Sequence, residues 1–65
     1  MTFTAADKAK CAEREVAQRR RVYPRLVESR RMKQAEADRQ IALMEAIAAD
    51  YRARADAEGA KGRLI

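Results

Sequence analysis

Small apolar residues recur along this chain at alternating spacings of four and three, in two stretches separated by a basic segment. Such spacing places its members on one stripe of an α-helix, the stripe through which paired helices contact each other. The sequence therefore predicts two helices that pack through matching seams. The predicted seams consist of Ala5, Ala9, Ala12, Val16, Tyr23 and Leu26, and of Ala37, Ile41, Met44, Ala48, Tyr51 and Ala55.

The start of each helix has a local signal. Thr4 offers a hydroxyl N-cap, and Asp7, three residues later, supplies the acid of a capping box. The first helix is predicted over about residues 5–30. Glu36 stands where a second capping acid belongs, and this predicts a second helix over about residues 34–58.

The short link between the two stretches predicts an all-α antiparallel helical hairpin that forms a single domain over residues 1–65. Gly59 is a plausible C-terminal stop for the second helix, which leaves residues 59–65 as a flexible tail. A single bent helix in an open array is the alternative to a closed hairpin.

The only proline lies inside the first predicted helix. Pro24 cannot donate an amide hydrogen, and its ring crowds the carbonyl group of Arg20, so the helix must kink or break there. Leu26 and Val27 continue the apolar face beyond the proline, which favours a kink.

A chain of 65 residues buries little surface, and this one cannot compensate with covalent crosslinks. Cys11 is its only cysteine and it has no histidine, which excludes an intramolecular disulfide and an ordinary zinc site. Self-association remains, and the broad apolar face of the second helix predicts a homodimer that forms a four-helix bundle. The predicted dimer interface comprises Ile41, Leu43, Met44, Ile47 and Tyr51.

Positive charge collects around the proline and the link. The net charge of the chain is +5, and residues 1–33 carry ten lysines and arginines against four acidic residues. Tyrosine and arginine are frequent interface anchors, so this region predicts a contact surface for an acidic protein partner. The predicted contact residues are Arg20, Arg21, Tyr23, Arg25, Arg30 and Arg31.

A second interpretation of the charge is a stripe that follows nucleic-acid phosphates without reading sequence. No aromatic residues alternate with these cations for base stacking, and acidic residues lie nearby, so the interpretation ranks second. The simplest interpretation of the charge is a solvated face that only keeps the protein in solution. The stripe would consist of Lys10, Arg14, Arg21 and Arg25.

Arg19 falls on the seam itself. Glu15, four residues earlier, predicts a local ion pair with Arg19. The arginine can pack its stem along the seam, or it can specify an oligomer or contact a partner. Tyr23 likewise can fill the seam or form a recognition knob beside Pro24.

Enzyme chemistry finds no support in the sequence. The chain has no histidine, a single serine, Ser29, without a patterned base, and no glycine-rich phosphate loop. We expect no catalytic residues, metal, cofactor or small-molecule substrate. No stretch reaches the length of a membrane span and no signal peptide is evident, so we expect a cytoplasmic protein without membrane contact.

Over residues 8–52 the chain resembles small helical proteins of phages and prophages in proteobacteria. In such proteins we expect a glycine near position 30 and a threonine or serine near 33, where this chain has Arg30 and Lys33. The resemblance implies a short accessory protein that binds, and so modulates or inhibits, a host or defence protein; a virion or assembly component is an alternative. The runs that carry the resemblance are Cys-Ala-Glu-Arg-Glu-Val (11–16), Arg-Arg-Arg-Val-Tyr-Pro-Arg (19–25) and Ala-Asp-Arg-Gln-Ile-Ala-Leu-Met-Glu-Ala-Ile-Ala-Ala-Asp-Tyr (37–51).

Overall fold

The computed structural model describes residues 2–63, and the side chains of residues 2–59. It consists of helix α1, Ala5–Glu28, and helix α2, Gln34–Arg63, which pack against each other. No strand occurs in the described part of the chain. The predicted all-α hairpin is confirmed, and the open array of one bent helix is wrong, because side chains of α1 contact α2 directly.

The capping box predicted at the start of α1 is confirmed. The backbone amide of Asp7 donates to the Thr4 hydroxyl over 3.0 Å, and the amide of Thr4 donates to the Asp7 carboxylate over 3.2 Å. Two amides that lack an intrahelical partner are satisfied in this way. The box fixes where α1 begins and therefore sets the register of its seam.

Alanine dominates the interface between the helices. Ala12, Val16 and Ala48 form its central cluster, and Met44 packs against them. Small side chains let the helices approach closely, but they bury little apolar area. No large side chain is fully buried among the described residues. The buried positions are Ala5, Ala9, Ala12, Val16, Ala37 and Ala48, all of them members of the predicted seams.

Pro24 lies within α1 and is exposed. The helix is therefore not broken at the proline, because helical residues continue beyond it to Glu28. The predicted end of α1, near residue 30, is two residues too late, because α1 ends at Glu28 and Ser29 is its C-cap.

A Schellman motif ends α1. The amide of Arg31 donates to the carbonyl oxygen of Leu26 over 2.8 Å, and the amide of Arg30 donates to that of Val27 over 3.0 Å. Arg30 has a φ angle of 63°, in the left-handed region. A residue other than glycine is strained in this region, because its Cβ atom approaches the following carbonyl oxygen. The turn thus contains arginine at the position where glycine is normally found.

Helix α2 begins at Gln34, as predicted, and ends later than predicted. It continues through Gly59 to Arg63. Glycine lowers helix stability by about 1 kcal/mol relative to alanine, but it keeps both its amide and its carbonyl group, so it does not have to end a helix. Of the predicted tail, residues 64 and 65 lie outside the described residues.

Candidate functional site

Arg19 joins the two helices from within the seam. Its Nε donates to Glu15 Oε1 over 3.0 Å, and its Nη1 donates to the backbone carbonyl of Gln40 over 2.9 Å. The guanidinium carbon lies 5.9 Å from the centre of the Tyr23 ring. The predicted ion pair with Glu15 is confirmed, and the contacts of Arg19 are made inside the chain.

Two ion pairs cross from α1 to α2 along one edge of their interface. Arg52 donates to both carboxylate oxygens of Glu13, from Nε over 2.9 Å and from Nη2 over 2.8 Å. The Nη2 atom of Arg20 lies 2.8 Å from Oε2 of Glu45. The Arg52 guanidinium holds the pKa of Glu13 below its ordinary value through this hydrogen bond and its charge, and Glu13 raises the pKa of Arg52. Both pairs fit one antiparallel register, because Glu13 and Arg20 are seven residues apart on α1 and their partners Arg52 and Glu45 are seven residues apart on α2.

The sequence offered a signal for these pairs that the seam analysis missed. Glu13 and Arg20 are seven residues apart, as are Glu45 and Arg52. In an antiparallel hairpin, such pairs of opposite order lie across from each other. The charge order therefore could have predicted the register of the hairpin.

The six predicted partner-contact residues differ in their exposure and contacts. Tyr23 is half-buried beside Arg19, which supports its role as a seam residue, and Arg20 is engaged with Glu45. Arg21 and Arg25 lie on the exposed side of α1. Arg30 and Arg31 are exposed in the turn that follows α1.

The turn forms the tip of the hairpin and combines positive charge with apolar surface. Arg30, Arg31 and Lys33 are exposed, whereas Val27 and Met32 are half-buried between them. An open groove runs among these five residues, and Gln34 and Glu36 complete its lining. We call this set of five residues the basic tip.

The outer face of α1 carries four cations. At about 100° per residue, spacings of four and seven keep these residues within one narrow sector, opposite α2. All of them are exposed, and none forms a salt bridge within the part of the chain that the structure describes. We call this face the basic stripe, and it consists of Lys10, Arg14, Arg21 and Arg25.

The predicted dimer-interface residues are partly covered by α1. Ile41, Met44 and Tyr51 are half-buried, and the Tyr51 ring lies under Lys8 and Arg54 at 5.6 and 5.8 Å. Leu43 and Ile47 keep 50% and 37% of their surface exposed. The hairpin is 16 Å across in its thinnest direction, little more than one helix, so it has no second layer to cover them.

Ser29 and Cys11 carry nucleophilic groups in the described part of the chain. The Ser29 hydroxyl donates to the carbonyl oxygen of Leu26 over 3.2 Å, a local contact at the end of α1. Cys11 is an exposed free thiol. Among the described residues, no three metal-ligating side chains lie close enough together to hold an ion.

Comparisons with protein-family models, curated proteins and solved structures find no match to this chain. Neither described helix contains an apolar segment long enough to cross a bilayer. The geometry of the basic tip, the basic stripe and the exposed side of α2 is therefore the basis for a functional assignment.

Proposed function

We propose that the chain is a small non-enzymatic interaction protein of phage type, which binds and modulates a host or defence protein in the host cytoplasm. The contact surface in this proposal is the basic tip, extended along α1 by Arg21 and Arg25. The partner surface is acidic, with an apolar spot that faces Val27 and Met32.

The observation that carries the proposal is the conformation of Arg30. A left-handed residue costs roughly 1–2 kcal/mol when it has a Cβ atom, and glycine avoids this cost. In a small hairpin with an alanine core this cost is a large share of the folding free energy, yet arginine occupies the position with a φ angle of 63°. Retained strain of this kind is typical of functional positions. The proposal therefore makes the Arg30 guanidinium a contact group of the basic tip.

The composition of the tip fits a protein ligand better than a simple anion. Three exposed cations steer an acidic surface toward the tip, and Val27 and Met32 supply apolar contact once it arrives. The Pro24 kink also belongs to the proposal. Loss of the hydrogen bond to Arg20 and the crowding by the proline ring would bend α1 shortly before Val27, where the basic tip begins.

The proposal further includes a homodimer. Leu43 and Ile47 are exposed, and no large side chain is fully buried among the described residues. Pairing two hairpins into a four-helix bundle would cover both side chains. A dimer also presents two basic tips, which raises the avidity for a partner with repeated sites.

Replacing Arg30 by glycine separates stability from binding. We expect Arg30→Gly to raise the unfolding free energy by about 1 kcal/mol and the melting temperature by about 5 °C, because the left-handed strain is relieved. We expect the same variant to capture less of the partner in pull-downs from a nuclease-treated lysate of a proteobacterial host. Thermal unfolding and quantified capture measure the two effects.

The matched controls are Arg30→Lys, which keeps both charge and strain, and Arg31→Gly, which removes a charge without relieving any left-handed strain. Arg30→Lys should retain capture, and Arg31→Gly should gain no stability. If Arg30→Gly and the double variant with Arg31→Gly capture the same proteins as the unaltered chain, the basic tip is not the contact surface.

The basic stripe favours a second candidate, a protein that binds nucleic-acid phosphates without sequence specificity. Its four unpaired cations extend over about 22 Å of helix, at 1.5 Å per residue. We expect affinity for duplex DNA, measured by fluorescence anisotropy, to fall steeply with added salt. Arg14→Gln with Arg21→Gln should flatten that dependence, while Arg30→Gly should not. Absence of DNA binding at low salt would contradict this candidate.

A further inference from the structure

Helix α2 carries a second stripe beside its seam. Each member lies one residue before a seam residue, and therefore about 100° around the helix from the face that contacts α1. The stripe repeats the alternation of four and three that is typical of helix pairing. It consists of Glu36, Gln40, Leu43, Ile47, Asp50 and Arg54.

This second stripe is accessible in the hairpin. Gln40 is half-buried and the other five residues are exposed, with Leu43 and Ile47 at its centre. The interhelical ion pairs use Glu45 and Arg52, which lie on the other side of the seam, about 200° from Leu43 and Asp50 respectively. One edge of the hairpin is thus closed by ion pairs, and the other edge presents two large aliphatic side chains.

Two copies of the stripe are complementary to each other when they run in opposite directions. Antiparallel pairing about its midpoint places Leu43 against Ile47 of the second copy and Glu36 against Arg54. Neither Glu36 nor Arg54 forms a salt bridge within the described part of the chain, so both charges are available. Parallel pairing would instead place Glu36 against Glu36 and Arg54 against Arg54, and like charges repel.

We infer that two copies of this chain pair through α2 in antiparallel orientation, with Leu43 and Ile47 at the centre and a Glu36–Arg54 ion pair at each end. This inference rests on the proposed dimer and specifies its orientation and register. The two-fold axis gives each contact twice, once in each direction.

Charge reversal at the ends of the stripe tests the orientation. We expect Glu36→Arg and Arg54→Glu each to raise the dimer dissociation constant about tenfold, since each creates two like-charge contacts per dimer. The double variant exchanges the two charges and should return to within about threefold of the unaltered protein. Sedimentation equilibrium at low ionic strength measures all three, because exposed charges are screened by salt.

Lys10→Glu is the matched control, since it makes the same change in net charge as Arg54→Glu on the outer face of α1. It should leave the dissociation constant unchanged. A dimer that is insensitive to both single reversals, or a double variant as weak as the single ones, would overturn the antiparallel register and leave the dimer itself standing. An unaltered chain that sediments as a monomer would overturn both.

Crosslinking provides an independent measurement that does not depend on small energies. In a Cys11→Ala background, chains with Gln40→Cys should form disulfide-linked dimers with chains that carry Asp50→Cys. Neither type should link to itself, because the antiparallel register brings position 40 of one copy beside position 50 of the other. Efficient self-linking of Gln40→Cys chains would show parallel pairing and overturn the inference.

Discussion

Replacing Ala12 by aspartate is expected to destabilise the hairpin severely. Ala12 is 5% exposed in the central cluster, and a carboxylate there would face Val16 and Ala48 without a partner. Burying an unpaired charge or forcing the helices apart to hydrate it costs about 3 kcal/mol or more. The entire stability expected for a chain of this length is about 3–10 kcal/mol. Far-UV circular dichroism during urea or thermal unfolding measures the loss.

Ala17→Asp is the matched control for this prediction. Ala17 lies on the exposed side of α1, so aspartate costs only its lower helix propensity there, about 0.7 kcal/mol relative to alanine. The same propensity cost applies at position 12, and the difference between the two variants therefore isolates burial. Equal losses at both positions would mean that the alanine seam does not hold the helices together.

The features that the sequence predicted correctly are those set by neighbouring residues. The Thr4–Asp7 capping box and the Arg19–Glu15 ion pair each need only residues three or four apart. The seams follow from the period of one helix, and all six buried residues belong to them. Local geometry of this kind can be worked out before the fold is known.

Features that depend on the other helix or on competing energies were harder to predict. Gly59 carries a stop signal, but a weak propensity does not outweigh the continuing backbone hydrogen bonds of α2. Arg20 pairs with Glu45 on α2, a residue 25 positions away in the sequence. The period of a single helix does not predict such a contact, because it depends on how the two helices pack.

The turn at Arg30 was predicted only in part. The short link between the two predicted helices placed the turn near residue 30, and within that turn Arg30 adopts a φ angle of 63°. Sequence alone could not show that arginine adopts the conformation anyway, because the Schellman hydrogen bonds to Leu26 and Val27 are what hold it there.

Replacing Ile47 by aspartate is expected to separate the proposed dimer, with a rise of at least about 100-fold in its dissociation constant. The substitution places two carboxylates, one from each copy, where two aliphatic side chains would otherwise exclude water. Ile47 is 37% exposed in the single hairpin, so part of its side chain is available to a second copy, and the substitution also lowers the stability of one chain. Sedimentation velocity over a micromolar concentration series measures the effect. Ala46→Asp, on an exposed position of the same helix, should leave association unchanged.

Helicity should follow association in this experiment. The hairpin core is built from alanine and one valine, with no large side chain fully buried, so much of the apolar burial available to the chain lies in the proposed dimer. By mass action, the helical content of the unaltered protein should fall on dilution, and that of Ile47→Asp should be lower and independent of concentration. A fully helical monomer at micromolar concentration would contradict the dimer, because it would show that the alanine seam and the ion pairs of Glu13 and Glu45 suffice to stabilise the hairpin.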